Sequence, residues 1–537
     1  MTTTRRQFMQ AGAGATALAV APAIVQSQTP SDRRTLRVAM MQDLNSFDPV
    51  LSTSLTTSYH SHAIYDTLFG LDANFNPQPQ MLKKWELSKD KKTYTFELRD
   101  GLKFSDGSPV TSADCVASIR RWGGRDASGK DLFTRVSDTP VKSDKIFQIV
   151  LSEPFGLTID FMSKATTSCL FIMRKKEADT DPNKAITEYI GSGPFIFNRE
   201  LTRNGATYVY DRNPNYVPRK EPASGTAGGK VAKVDRIIWQ NMQDAQTAMS
   251  ALQNGEIDFF EAPPVDLIQN LESDPNIVVD VLNKSGWVGN LRPNHLHPPF
   301  DNVKARQALK YIMNPVDMLK AFVGNPKFYS PCGAYFGCGM PMENDENTAW
   351  FKGGKGQDIA KAAQLFKEAG YDGRTIYLQQ PTDLRPIGVT TPLIAQWLRQ
   401  AGLNVQVDVS DWGVIATRRG KKDAPDKGGW SLLSTFTSGY QMGANPFFYW
   451  GHAANGDKGG FGWPTNPEHE KLRAAWAAAP TLAERKAIAR KMQAAAWEWI
   501  PFVTYGRWLQ PVAYRKNTKG WLSMPEIIPF WNVEKTA

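Results

Sequence analysis

The chain has 537 residues and carries 63 Lys and Arg against 53 Asp and Glu, a formal charge of +10. Its length exceeds what one hydrophobic core fills, so two or more lobes are expected. A hydrophobic content of 41% with 22% charged residues excludes a disordered or fibrous chain. The basic residues are scattered rather than striped, which argues against nucleic-acid binding.

The N-terminus places Arg5-Arg6 ahead of Phe8 and an Ala/Gly-rich apolar run from Ala11 to Val25. Two adjacent guanidiniums before a short apolar segment resemble a Tat signal peptide over residues 1–28, with Ala21-Pro22-Ala23 as a small-x-small cleavage site. The run falls short of the about 20 apolar residues that a spanning helix needs. This leader implies passage through the Tat translocase and a mature protein in the periplasm.

Next comes a strand over 35–41, then a turn at Asn45-Ser46-Phe47-Asp48-Pro49 and a helix over 58–66. Residues 91–99 alternate with period two, as a half-buried strand does. Thr111 is placed to cap a helix running to 122. Strands are expected over 146–151, 169–173, 207–210 and 234–239, and the Pro/Gly/Ser-rich stretch 218–230 reads as an exposed loop. A helix over 244–254 ends at Gly255. Further on, helices over 305–313, 315–323, 358–369 and 391–400 alternate with strands over 375–378, 405–409 and 432–436, an α/β pattern. Asp301 is placed to cap the first of these helices. An Ala-rich helical pair over 474–478 and 482–499 follows, the second capped by Thr481.

Cys332 and Cys338 enclose Gly333-Ala334-Tyr335-Phe336-Gly337, a spacing that closes a disulfide loop in an oxidising compartment; Cys115 and Cys169 read as buried thiols. The stretch from Gly225 to Lys230 mimics a phosphate loop but is one residue short and lacks the Ser/Thr that holds Mg²⁺. The pairs His60/His62 and His295/His297 have the spacing of metal chelators on a strand, but fall on a helix and in a loop. No nucleophile elbow is present. No catalytic residue, no metal site and no cofactor are expected.

A series of motifs in chain order carries a resemblance. They include Ile64-Tyr65-Asp66-Thr67-Leu68-Phe69, Gly101-Leu102-Lys103-Phe104-Ser105-Asp106-Gly107, Gly191-Ser192-Gly193-Pro194-Phe195, Asp211-Arg212-Asn213-Pro214-Asn215-Tyr216 and Pro299-Phe300-Asp301-Asn302-Val303. Together they resemble the family 5 extracellular solute-binding proteins, the dipeptide- and oligopeptide-binding components of ABC importers. The resemblance implies an α/β, periplasmic-binding-protein-like fold of two lobes, with an extra domain inserted in the first. Lobe I would comprise 32–63, 192–288 and 505–537, the inserted subdomain 64–191, and lobe II 289–504. The implied function is delivery of a small organic solute, peptide-like or carboxylate-bearing, to ABC permease subunits, by a monomer that is not an enzyme. A Tat-exported hydrolase and a nickel or metal-chelate binder of the same fold are the alternatives.

Solute contacts are expected at the first lobe crossing, from Trp287 and Asn290, and along Trp430, Thr435, Phe436, Thr437, Ser438 and Tyr440. In peptide-binding relatives the latter segment carries an aspartate that pairs with the ligand's α-ammonium. Here residues 437–441 hold no carboxylate, which suits a neutral polar or anionic ligand better. Arg385 is placed to grip an acid group through two parallel hydrogen bonds, or to pair with Asp383.

Overall fold

The computed structural model describes residues 34–536 apart from Lys355 and Pro480; the leader expected over 1–28 lies outside them. Two sheets organise the molecule. The first has seven strands in the order Ile277–Asp280, Val512–Arg515, Phe259–Phe260, Thr35–Ala39, Arg236–Gln240, Thr207–Arg212 and Phe195–Arg203. The second has six, in the order Tyr329–Ser330, Val503–Trp508, Trp287–Pro293, Leu432–Ser438, Ile376–Pro381 and Val405–Ser410. The chain passes from the first sheet to the second between Asp280 and Trp287, and returns between Trp508 and Val512. At the first passage Gly286 adopts φ +65°, and a Cβ there would lie 2.5 Å from the Trp508 carbonyl oxygen, so the two crossing segments run in contact.

A separate four-stranded sheet, Leu82–Leu87, Thr93–Leu98, Ile146–Leu151 and Val136–Asp138, lies between the first and later strands of the seven-stranded sheet in sequence. Its period-two pattern buries Tyr94, Phe96 and Leu98 on one face. Phe96 stacks on Phe147 with ring centroids 5.1 Å apart. The helix Ser112–Gly123 that packs on this sheet opens with a capping box between Thr111 and Asp114.

Buried ion pairs tie these parts together. Lys230 donates to Asp66 at 2.7 Å with neither side chain exposed. Tyr216 donates to the other oxygen of Asp66 at 2.8 Å. Burial alone would push the Asp66 carboxyl up; the Lys230 ammonium outweighs it and holds the group below its ordinary value. Arg121 similarly grips Asp48 with bonds of 3.1 and 2.8 Å. The motif glycine Gly191 is required by space, because a Cβ there would sit 1.7 Å from the Ile64 carbonyl oxygen.

Several local expectations are corrected. Residues 169–173 form no strand; Phe171 makes a single bridge to Thr67, and Cys169, Leu170, Phe171, Ile172 and Met173 are all buried instead of alternating. The helix expected at 391 begins six residues earlier, as Arg385–Gln400, with Pro386 in its first turn where a missing N–H costs nothing. Asn302, not Asp301, caps the helix Val303–Ile312, accepting from Lys304 N. The stretch 218–230 is a loop, yet Gly225 to Lys230 is buried, because Lys230 reaches Asp66.

Cys332 and Cys338 are joined by a disulfide. The loop it closes buries Tyr335 and Phe336 completely, and Arg507 donates to the Cys338 carbonyl at 3.3 Å. Replacing both cysteines by serine is expected to cost about 2 kcal/mol by releasing the short loop in the unfolded chain. Urea denaturation of the oxidised protein and the variant checks this, and identical midpoints would refute it.

Candidate functional site

The strand Leu432–Ser438 runs out of the six-stranded sheet into the short helix Gly439–Gly443. Ser438 caps that helix, its hydroxyl oxygen accepting from Gln441 N at 3.0 Å. The same hydroxyl donates to the Glu526 carboxylate, whose other oxygen accepts from the Thr166 hydroxyl. Gln441 donates to Thr166 Oγ1 at 2.9 Å and accepts from the Thr437 hydroxyl. Four chain regions thus meet: the end of a strand of the six-stranded sheet, the first turn after it, the segment carrying Thr166, and the C-terminal segment.

Glu526 is buried and, among the described residues, has no ion-pair partner. Burial pushes its carboxyl up, and the Ser438 and Thr166 hydroxyls only partly offset this. Lys164 lies within electrostatic reach but is engaged by Asp126 in a buried pair at 2.5 Å. The Thr167 backbone N–H also donates to this carboxylate. Beside it, Tyr440 packs against Phe75 and Phe448 at 5.3 and 5.6 Å. Phe161 meets Phe447 at 5.9 Å, and next to it burial raises the Asp160 carboxyl, with Arg485 as the opposing charge.

The structure brings most of the expected residues onto two adjacent strands. Trp287 pairs with Ser438 and Asn290 with Thr435 across the ladder. Trp287 is half-buried, edge-on to Phe436 at 5.5 Å. Asn290 is fully buried and accepts from the Tyr449 hydroxyl at 3.1 Å. Two residues lie apart. Trp430 is fully buried against Trp463, its indole N–H donating to the Arg419 carbonyl at 3.1 Å. Arg385 is exposed at the start of its helix, and Asp383 accepts from Trp412 N rather than pairing with it. Glu526, Thr166 and Asp160 were not expected. Glu526 lies 88 residues from Ser438 in sequence, and no local pattern marks it.

The histidine pairs are separated by structure. His60 bonds to Tyr210 at 2.9 Å and is held neutral by burial, which lowers it to about 3. His297 is half-buried, with Nε2 at 2.9 Å from the Lys422 carbonyl. Among the described residues no three His, Cys, Asp or Glu side chains are grouped to hold a metal ion, and no helix is long and apolar enough to cross a membrane.

Solved structures share the architecture. A periplasmic binding protein, AgaA, from A. tumefaciens R10 in complex with agropinic acid superposes with a TM-score of 0.76 at 22% identity, over 94% of this chain and 99% of that one. DppA from Helicobacter pylori in complex with the peptide STSA gives 0.77 at 21% identity, over 94% and 98%. The fold is therefore that of the two-lobed periplasmic binding proteins. The model of the bacterial extracellular solute-binding proteins, family 5 Middle, matches residues 76–459. A probable peptide ABC transporter periplasmic-binding protein, y4tO, of Sinorhizobium fredii is 46% identical over 100% of both chains. The chain belongs to the family 5 extracellular solute-binding proteins.

Proposed function

We propose that this protein binds a peptide-like solute in the periplasm and hands it unaltered to the permease of an ABC importer. In this reading the seven-stranded sheet belongs to lobe I and the six-stranded sheet to lobe II. The four-stranded sheet is a subdomain inserted in lobe I, and the paired crossing segments are the hinge. The observation that carries it is the network through Glu526, which links the C-terminal segment to Ser438 at the rim of the opposite sheet. In this reading the link spans the two lobes, so it adds to the energy that a bound solute supplies for closure. Glu526 also supplies, from a different part of the chain, the carboxylate absent from 437–441. This favours a solute with a free ammonium group over the neutral or anionic ligand that the strand alone suggests. Trp287, Phe436 and Tyr440 would form apolar walls of the cleft.

A thermal-shift screen of short peptides finds the solute, because a ligand of the native state raises the melting temperature. With a peptide so identified, Ser438→Ala is expected to weaken binding roughly 10- to 100-fold by removing a hydrogen bond to a charged group. Calorimetric titration reads this; unchanged affinity in a normally folded variant would remove the network from the binding mechanism.

Export belongs to the same reading. Arg5→Lys with Arg6→Lys is expected to leave the precursor in the cytoplasm. Immunoblots of periplasmic and cytoplasmic fractions check it, and a periplasmic mature form from the variant would exclude the Tat route.

A further inference from the structure

Two guanidiniums lie inside lobe II without a counter-ion. Arg292 has no exposed surface and neither it nor Arg419 has a carboxylate partner among the described residues. Arg292 Nη2 donates to the Tyr449 hydroxyl at 3.0 Å and Nη1 to the Phe461 carbonyl at 3.4 Å, while its Nε has no partner. Its plane lies 3.9 Å from the Trp450 ring centroid. Arg419 stacks on the Phe461 ring at 4.5 Å, and its Nε is also without a partner.

Arg292 and Arg419 meet at Phe461, whose carbonyl accepts from the first and whose ring lies under the second. Arg292 pairs with Leu433, and Leu433 with Gln379, so Arg292 and Gln379 point to one face of the six-stranded sheet with the buried Leu433 between them; Asn290 shares that face two residues from Arg292. Gln379 is fully buried with both amide atoms unpartnered, and Asn290 Nδ2 is likewise unpartnered. Asp408, opposite Gln379, is occupied by Arg418 at 2.9 Å. The unsatisfied groups are thus mostly N–H donors around two positive charges. Burial, reinforced by the charge of Arg292, lowers Arg419 to about 10. Aromatic faces stabilise a buried guanidinium only in part; a charge without an anion remains costly. Arg419 is partly exposed.

We propose that Arg292 and Arg419, with the amides of Asn290 and Gln379, form an oxyanion subsite in lobe II that takes a carboxylate group. The subsite lies on the sheet face opposite Trp287 and Phe436, which alternate with Asn290 and Arg292 along the paired strands, and it stands independently of the solute-binding reading.

The test uses simple anions on the full-length mature protein. Melting temperatures are measured as acetate, and separately sulfate, replaces chloride at constant ionic strength, for wild type, Arg419→Gln and Arg292→Lys. Wild type is expected to gain about 2 °C or more with acetate over chloride, and both variants to lose that gain. Partly exposed Arg419 gives a variant that folds even if Arg292→Lys does not. A gain with sulfate that is also lost in Arg419→Gln widens the subsite to oxyanions in general. No difference between acetate and chloride in wild type, or an equal gain in Arg419→Gln, overturns the subsite. Neither result depends on which peptide the protein carries, so the solute-binding reading stands or falls separately.

Discussion

Lys230→Met is expected to destabilise the fold by about 3–5 kcal/mol, since it leaves the Asp66 carboxylate buried with no cation. The pair has no exposed surface, so water cannot take the place of the lost ammonium. The carboxylate would keep only the Tyr216 hydroxyl, the weaker Gln80 contact at 3.4 Å and the Thr67 amide. The double variant Asp66→Asn with Lys230→Met is expected to recover much of that loss, because no charge is then stranded. Denaturant titration of the two single variants and the double closes the cycle. A single variant as stable as wild type, or a double variant worse than the sum of the singles, would show that the pair does not anchor the loop 218–230.

A second large effect concerns pH. Glu261 accepts from Tyr59 at 2.8 Å and from Met41 N at 2.6 Å and is almost wholly buried, and burial raises its carboxyl from 4.5 to about 7. A folded-state value above the unfolded one means the group favours folding when protonated. Its contribution is complete below pH 4.5 and disappears as the pH climbs through 7. The displacement corresponds to about 3 kcal/mol. Glu261→Gln removes that loss, with its amide oxygen accepting from Met41 N and its amide nitrogen donating to the Tyr59 hydroxyl. The variant should therefore gain on wild type progressively from pH 4.5 to 8. Glu526, displaced in the same direction by burial, keeps part of the slope in the variant. Denaturation midpoints at several pH values check this; parallel curves for wild type and Glu261→Gln would contradict it.

The elements with strong local signals were legible in the chain. The strand Ile146–Leu151, the helix Leu482–Trp499 with its Thr481 cap, and the Gly255 helix stop follow directly from period, capping chemistry and left-handed glycine. The motifs that carried the family resemblance are scaffold. Asp66 answers Lys230, Gly191 clears the Ile64 carbonyl, and Asn213 donates to the Gly193 carbonyl at 2.8 Å. Lys230 looked like part of a broken phosphate loop because its partner lies 164 residues away. The same limit hid Glu526. A carboxylate next to Ser438 is invisible to any window of sequence around 437–441, so the strand read as a site without an acid. Arg292 was passed over for a different reason. Its neighbours Asn290 and Trp287 were noticed, but only the cross-strand register shows that it faces no anion. Trp430 illustrates the reverse, an expected solute contact that serves the core with Trp463.

Native mass spectrometry of the protein purified from its own cells tests the binding role most directly, when the released molecule is identified and added back. One peptide-like molecule per chain, recovered with unchanged mass after prolonged incubation and able to rebind, is the expected result. A molecule that is cleaved or otherwise converted on incubation would contradict it.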